Sequence, residues 1–562
     1  MVATTCQPVP VQTQNMGALP VIQAYFDKLD LADTIDRLVP WEGQVPLGTL
    51  CEILVANRLL DPEPLYRLGE WAELAGLADF YQVPVAHLND DAFGRALERL
   101  AKFAPDIEAA LALRAVKEFD LDLSQIHYDI TTVELYGAYQ AYTQSQAQPG
   151  PATAPEPTSA NDHQPPKPTY GHSKSGRKNL KQVQLGLDVL GDGAVPISHC
   201  VLDGNTAEAT THPGNLQRLK AVLPTSKFVL ITDCKGDTQE NLLSIAAEGC
   251  EFLCAGAFTE TLQQRYLRLQ DKMHRIAYYP KSQEDRKPEE RDEYRAHEVT
   301  ELLQGEVNGT KVRLRYRLMF VWSQARAKQQ QQTRARHVSK IQDEFVKVAK
   351  NLNKYSLKTQ PAVLARLEKA KGRYSEGSLF DYELSEEAGR LELTWRLDAR
   401  KEKEWQDLEG VYVLKSNRSR ATHPVAKEVE TYKEQSNVEK RYRHIKGPLA
   451  VMPAFLEKPE RIAGLMGVVV WALLVMALME RQVRKSLSGK PLFGLYPENR
   501  PSRAPSGPSI LACFGKLCVV LFMHEGLVRR QLARLTVLQR KMLDLLGVLE
   551  TDLYCYARSS FV

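Results

Sequence analysis

Cysteine is sparse in this chain, and none of it is arranged for pairing or for metal. The nine cysteines are spread over 562 residues without one Cys-x2-Cys pair. Cys250 and Cys254, four apart, have no matching His/Cys pair near them. This excludes a disulfide-stapled scaffold, leaves a zinc centre poorly supported, and points to free thiols in a reducing compartment. Net charge is also small, +4 at pH 7, so the total alone does not mark a nucleic-acid binder. The N-terminus lacks a basic segment followed by an apolar one, so secretion is not expected. Residues 1–15 carry no charge and are expected to be disordered. Long apolar runs are missing with one exception, Ile462 to Met479, 18 residues without a charge and at the lower limit for a membrane span. Its two glycines, its flanks Arg461 and Glu480-Arg481, and the want of a second span favour a buried core helix.

What is present is the composition of a soluble globular protein, 43% hydrophobic and 25% charged, at a length that holds several domains. The charge is unevenly placed. Residues 16–120 carry 18 Asp and Glu against 9 Lys and Arg, so the positive excess, +13, lies in 121–562. Any broad phosphate-binding surface is expected there.

Residues 16–120 read as an all-helical N-terminal domain. Leu47–Leu60 follows Pro46, Ala92–Phe103 follows the cap Asn89-Asp90, and Asp106 opens a further helix through Val116. From Leu121 the period changes to two: Ile126, Tyr128 and Ile130 alternate with Gln125, His127 and Asp129, which predicts a strand with Asp129 on the opposite face from Tyr128. A surface strand with one exposed acid is the plainer alternative. Residues 138–168 are a Gln-, Ser-, Thr- and Pro-rich loop that cannot bury apolar surface. A hairpin follows, Val183–Val189 and Val195–Val201 around Gly191-Asp192-Gly193, then a helix over 207–222. The short apolar strand Phe228–Thr232 ends at Asp233, and a helix over 238–248 leads to a strand at Phe252–Ala255. Between 256 and 422 strand-like runs at Lys311–Trp322, Leu391–Leu397 and Gly410–Leu414 flank a basic helical segment, Gln324–Lys350, with seven Lys and Arg against two acids.

The stretch Thr431–Pro448 reads as one helix ended by Gly447-Pro448. At helical spacing Tyr432, Gln435, Glu439 and Lys446 share a face, with Arg441, Arg443 and His444 beside it. Such a face suits a metal at Glu439 and phosphates at the cations. From these residues alone a solvated amphipathic helix with ordinary ion pairs fits as well.

The spacing of Tyr432, Glu439 and Lys446 resembles the Tyr-x2-Arg-x3-Glu-x6-Lys signature of one large group of bacterial insertion-sequence DDE transposases, with Gln435 where that group has arginine. The resemblance covers about 121–255 and 405–485 well and the segment between them loosely. It implies a ribonuclease-H-like mixed α/β sheet with flanking helices: a catalytic core in 121–255 and 423–485, interrupted by a mixed β/α insertion at 256–422. A helical region at 486–562 would follow. It further implies that Asp129, Asp233 and Glu439 are catalytic and hold two Mg2+ ions, Mn2+ substituting, with Asp129 shared between them. Tyr432, Gln435, Arg443 and Lys446 would contact DNA, Lys433 or Arg443 standing in for the missing arginine. The partners would be transposon-end and target DNA, bound by a homodimer on paired ends in the bacterial cytoplasm, at the nucleoid. The helical N-terminal domain would bind end DNA or dimerise. A nuclease of the same fold without strand transfer, and a DNA-binding protein that no longer cuts, are the alternatives.

Overall fold

A computed structural model describes residues 11–561 of the protein, apart from 138, 140–163, 173–175, 178, 224, 226, 388, 450–455, 525, 526, 558 and 559. Most of the Pro-rich loop, and residues 1–10 of the N-terminus, lie outside the described residues. The chain divides into two compact units, Met1–Glu251 with Glu434–Val562, and Phe252–Lys433.

The first unit opens with β1 (Val11–Asn15), which corrects the expectation of disorder there: it pairs with a strand from the far end of the chain, Val11 opposite Phe522. Helices α1 (Leu19–Leu29), α2 (Leu31–Leu38), α3 (Leu47–Leu60) and α4 (Asp90–Phe119) follow. Asn89 caps α4, its Oδ1 accepting from the Ala92 amide at 3.0 Å. The break expected before Asp106 does not occur, and α4 runs through Pro105 for 30 residues. A mid-helix proline costs about 3 kcal/mol. Here Leu97, Leu100, Ile107 and Leu111 are buried on one stripe across it, and that packing outweighs the lost hydrogen bond. The N-terminal helices are not a separate domain either. They belong to the same unit as the sheet, because α4 packs on the long apolar helix described below.

Four strands carry the site. β2 (Gln125–Leu135), β3 (Lys181–Leu190), β4 (Pro196–Asp203) and β5 (Val229–Thr232) lie in the order β4-β3-β2-β5. β3 is antiparallel to β2 and β4, while β5 is parallel to β2, so the sheet is mixed. All ten residues of β3 are buried, as befits a strand covered on both faces. α5 (His212–Val222) joins β4 to β5, and α6 (Gln239–Ala247) follows β5, its Thr238 cap accepting from the Asn241 amide. The order and mixed pairing are compatible with a ribonuclease-H-like fold.

The second unit contains β6 (Glu251–Gly256), β7 (His274–Arg275), β8 (Tyr294–Val307), β9 (Thr310–Ser323) and β12 (Val411–Ser416), in the order β6-β12-β9-β8-β7. β8 and β9 turn at Asn308-Gly309, both at positive φ, which suits the tight turn of a two-residue hairpin. α7 (Gln324–Lys350) is the basic helix read from the sequence, with those same ends. It packs with α8 (Gln360–Lys371) on the hairpin β10 (Phe380–Glu387) and β11 (Arg390–Leu397), around a core that includes Phe345 and Phe380. The unit ends in α9 (Val425–Lys433).

The remainder of the first unit starts with α10 (Ser436–Lys446) and α11 (Pro459–Leu487). Thr431–Pro448 is therefore two helices, broken at Glu434-Gln435, and the one-helix reading is corrected. α11 contains the apolar run; its most apolar window has a mean hydropathy of 2.5, and 94% of that window is buried within the protein. Backbones approach closely where α4 meets it: a Cβ on Gly464 would sit 2.1 Å from the Leu97 carbonyl oxygen, so only glycine fits. Val469 is fully buried in this helix. Val469→Lys should abolish recovery of folded protein, since an unpaired buried charge costs several kcal/mol. The wild-type chain should stay in the supernatant once membranes are pelleted. Recovery only in detergent extracts would show that α11 lies in lipid.

The C-terminal region is not wholly helical, contrary to expectation. β13 (Cys518–His524), β14 (Leu527–Leu532) and β15 (Ser560–Phe561) form a four-stranded sheet with β1, in the order β1-β13-β14-β15. Cys-Val-Val-Leu-Phe-Met is a short apolar run rich in strand formers, bounded by Gly515-Lys516 and Glu525-Gly526. That pattern separates it from a helix.

Candidate active site

β2 and β5 pair in parallel with His127 opposite Ile231. Asp129 and Asp233 each stand two residues further on, so the two carboxylates leave neighbouring strands at the same level. Asp129 is half-buried, and its Oδ1 accepts from the Ile130 amide at 2.8 Å. Asp233 caps the turn Cys234–Gly236, its Oδ1 accepting from the Lys235 amide at 2.8 Å.

Glu439 arrives on α10. Val438, Arg441, Tyr442 and Ile445 are buried on one stripe of that helix, while Glu439, Arg443 and Lys446 are exposed on another. The buried stripe is anchored to the sheet. The Tyr442 hydroxyl meets the Asp129 carbonyl oxygen and lies 3.2 Å from that of Leu185. Burial, with Asp129 beside it, pushes the Tyr442 phenol well above its usual range, so it stays a donor. At the start of the helix Gln435 is fixed at both ends of its amide: Nε2 donates to the Tyr128 carbonyl at 3.1 Å, and Oε1 lies 2.9 Å from His127 Nδ1. An amide oxygen only accepts, so His127 carries its proton on Nδ1. Burial depresses the imidazole pKa, against the Gln435 hydrogen bond, which raises it.

Two clefts meet at Asp129. One, of about 420 Å³, is lined by Asp129, Thr131, Glu439, Tyr442, Arg443 and Lys446, and there Lys446 Nζ donates to Thr131 Oγ1 at 2.7 Å. The other is much smaller and is lined by Tyr128, Asp129, Glu208, His212, Asp233 and Lys235. Burial depresses His212 to about 4, with Glu208 pulling the other way, so its ring is neutral at pH 7.

Of the residues singled out from sequence, Asp129 thus shares one cleft with Asp233 and the other with Glu439, Arg443 and Lys446. Gln435 is taken up in holding α10 to β2 rather than facing a cleft. Tyr432 sits on α9 in the second unit, where its ring stacks on Tyr412 at 6.4 Å between centroids. It does not continue the face of α10, because the helix restarts at Ser436. Sequence reading missed His127, Glu208, His212 and Tyr442. Tyr442 was within reach, three residues after Glu439 on the same helix. Glu208 and His212 gave no signal, because only the return of the chain after β4 brings them to Asp233.

The donors in both clefts are mainly hard carboxylate oxygens, which suit Mg2+ or Mn2+. Among the described residues no three His, Cys, Asp or Glu side chains are close enough to hold one ion together. The set fits cations held by one or two carboxylates each, with water and phosphate completing the shell. It does not fit a closed cage of protein ligands.

Residues 11–108 match a family model described as a domain of unknown function, DUF4277. No curated protein matches the chain. Among solved structures it is similar to the Mos1 transposase paired-end complex with left transposon end, at 11% identity and a TM-score of 0.14, over 45% of this chain and 69% of that one. An overlap that loose does not bear on mechanism.

Proposed function

We propose that this protein is a DDE-type transposase that cleaves DNA at insertion-sequence ends and joins them to target DNA. The observation that carries the reading is the position of Asp129, which lines one cleft with Asp233 and the other with Glu439. In this reading Asp129 serves two divalent cations, Asp233 completes the holding of one and Glu439 of the other. Two cations so held activate the attacking oxygen and stabilise the leaving oxygen of an in-line displacement at phosphorus. The protein's own work is to hold these acids on rigid strands and on a helix pinned by Tyr442 and Gln435, and to receive the DNA backbone. Exposed Arg443 offers a bidentate fork to phosphate and Lys446 a point charge. A homodimer on paired ends, working in the cytoplasm, is the expected assembly.

Incubating the protein with its own flanking repeat DNA and Mg2+ tests the reading. Cleavage at the repeat boundary supports it, whereas intact DNA over a full range of protein and metal concentrations refutes it. Lys446→Ala should weaken binding to cleaved ends and make the slope of log K against log salt shallower by about 0.9, one phosphate's worth. An unchanged slope would leave Lys446 a helix residue tied to Thr131 and nothing more.

A further inference from the structure

The cleft on the Asp233 side contains an acid that the transposase reading leaves unused. Glu208 lies in the turn Glu208–Thr210 and, with Asp129 and Asp233, lines that small cleft; Glu439 does not. The turn is held in place from two directions. The Tyr128 hydroxyl donates to Thr211 Oγ1 at 3.1 Å, and Asn241 Nδ2 donates to the Ala209 carbonyl at 2.9 Å.

A second observation points to an occupant. His212 lines the same cleft, is only 4% exposed, and its Nδ1 is buried with no hydrogen-bond partner in the protein. Buried polar atoms of this kind are nearly always satisfied, so the nitrogen calls for a donor that the chain itself does not supply. The ring cannot readily turn away, since its edge packs on Tyr128 at 5.3 Å between centroids. On the other side the Asp233 turn closes over it: a Cβ on Gly236 would lie 3.2 Å from His212 Cε1. The space left is about 10 Å³, the room of one water.

We infer that Glu208 joins Asp129 and Asp233 in holding a divalent cation on this side of the site, and that His212 Nδ1 accepts a hydrogen bond from a water of that cation's shell. Mg2+ gives up its waters reluctantly, and a metal-bound water is a strong donor, so one water-sized space beside a buried acceptor matches its needs. Glu208 is then a metal ligand, and His212 a positioning residue that acts through the water. The inference rests on the transposase reading only in taking Asp233 as a ligand.

The test is Mn2+ binding to the full chain without DNA, followed by calorimetry and by the loss of the free-ion electron paramagnetic resonance signal. Asp233→Asn and Glu208→Gln should each weaken one site by about tenfold or more, and His212→Phe, which keeps the ring against Tyr128, by a similar factor. Thermal unfolding of the metal-free variants should match the wild type, separating lost ligation from lost fold. If Asp233→Asn weakens Mn2+ binding while Glu208→Gln and His212→Phe do not, the inference is overturned and the transposase reading stands. If Asp233→Asn changes nothing, or the wild-type chain takes up no Mn2+ at millimolar concentration, both fall.

Discussion

Asp129→Ala should abolish DNA cleavage while leaving binding to the repeat ends largely intact. Asp129 is the residue common to both clefts, so its loss removes a carboxylate from each cation at once. A metal pair contributes several kcal/mol of transition-state stabilisation, and at ~1.4 kcal/mol per tenfold its loss corresponds to a rate lower by roughly 10³ or more. Asp233→Ala and Glu439→Ala touch one cleft each and should also stop cleavage, because displacement needs both oxygens stabilised. The fold should survive the Asp129 change. Its backbone contacts, the carbonyl to Tyr442 and the strand pairing, do not depend on the carboxylate. A gel assay of cleavage beside a binding assay on the same DNA separates the two effects. Normal cleavage by any of the three variants would remove that residue from the site.

Arg441→Ala should be the most destabilising single change on the glutamate helix. Arg441 is 2% exposed. Its guanidinium donates to the carbonyls of Ala194 and Gly193 and to Glu480, each at 2.8 Å, and so ties α10 to the β3–β4 turn and to α11. Breaking a buried pair from one side strands the other charge and costs about 3–5 kcal/mol. Glu480 would keep only Arg484, at 3.3 Å, and the Gly507 amide. Arg441→Met together with Glu480→Gln removes both charges and should recover most of the loss. Denaturant unfolding measures both, and an unchanged midpoint for Arg441→Ala would mean that the anchor contributes nothing. The pair also sets a pH dependence. Burial pushes the Glu480 carboxyl up, but Arg441 and Arg484 outweigh it and hold the pKa below the usual glutamate value. An unfolded glutamate titrates near ~4.3, so this stabilisation is complete above roughly pH 5 and is lost as pH falls through the lower folded value. Glu480→Gln should lose that part of the acid-unfolding profile.

Where pattern and packing agreed, the sequence could be read closely. The strand around Asp129, the hairpin after it, the apolar run ending at Asp233 and the basic helix Gln324–Lys350 each announce themselves by period and by flanking turn residues. The misreadings have physical causes. Pro105 reads as a helix end, yet it sits in a helix whose Leu97–Leu111 stripe is buried against α11, a contact hundreds of residues away in sequence. Glu434-Gln435 reads as mid-helix, since both are helix formers. The break there lets Gln435 reach across to His127 and Tyr128, partners that only the fold supplies. β1 was missed because its partner is β13, some five hundred residues on, and Gln-Thr-Gln-Asn offers no apolar face. At the site itself, Asp129, Asp233 and Glu439 were legible from their elements. Glu208 and His212 were not, because an acid and a histidine in a turn look the same whether they face solvent or a cleft.

Joining of a pre-cleaved repeat end to a supercoiled plasmid, with Mg2+ and the purified full-length protein, tests the central claim most directly. The expected result is a covalent end–plasmid product that requires the metal and disappears with Asp129→Ala, Asp233→Ala or Glu439→Ala. Cleavage of repeat DNA with no joined product under the same conditions would contradict transposition and leave a nuclease, and joining that survives loss of all three acids would contradict the site.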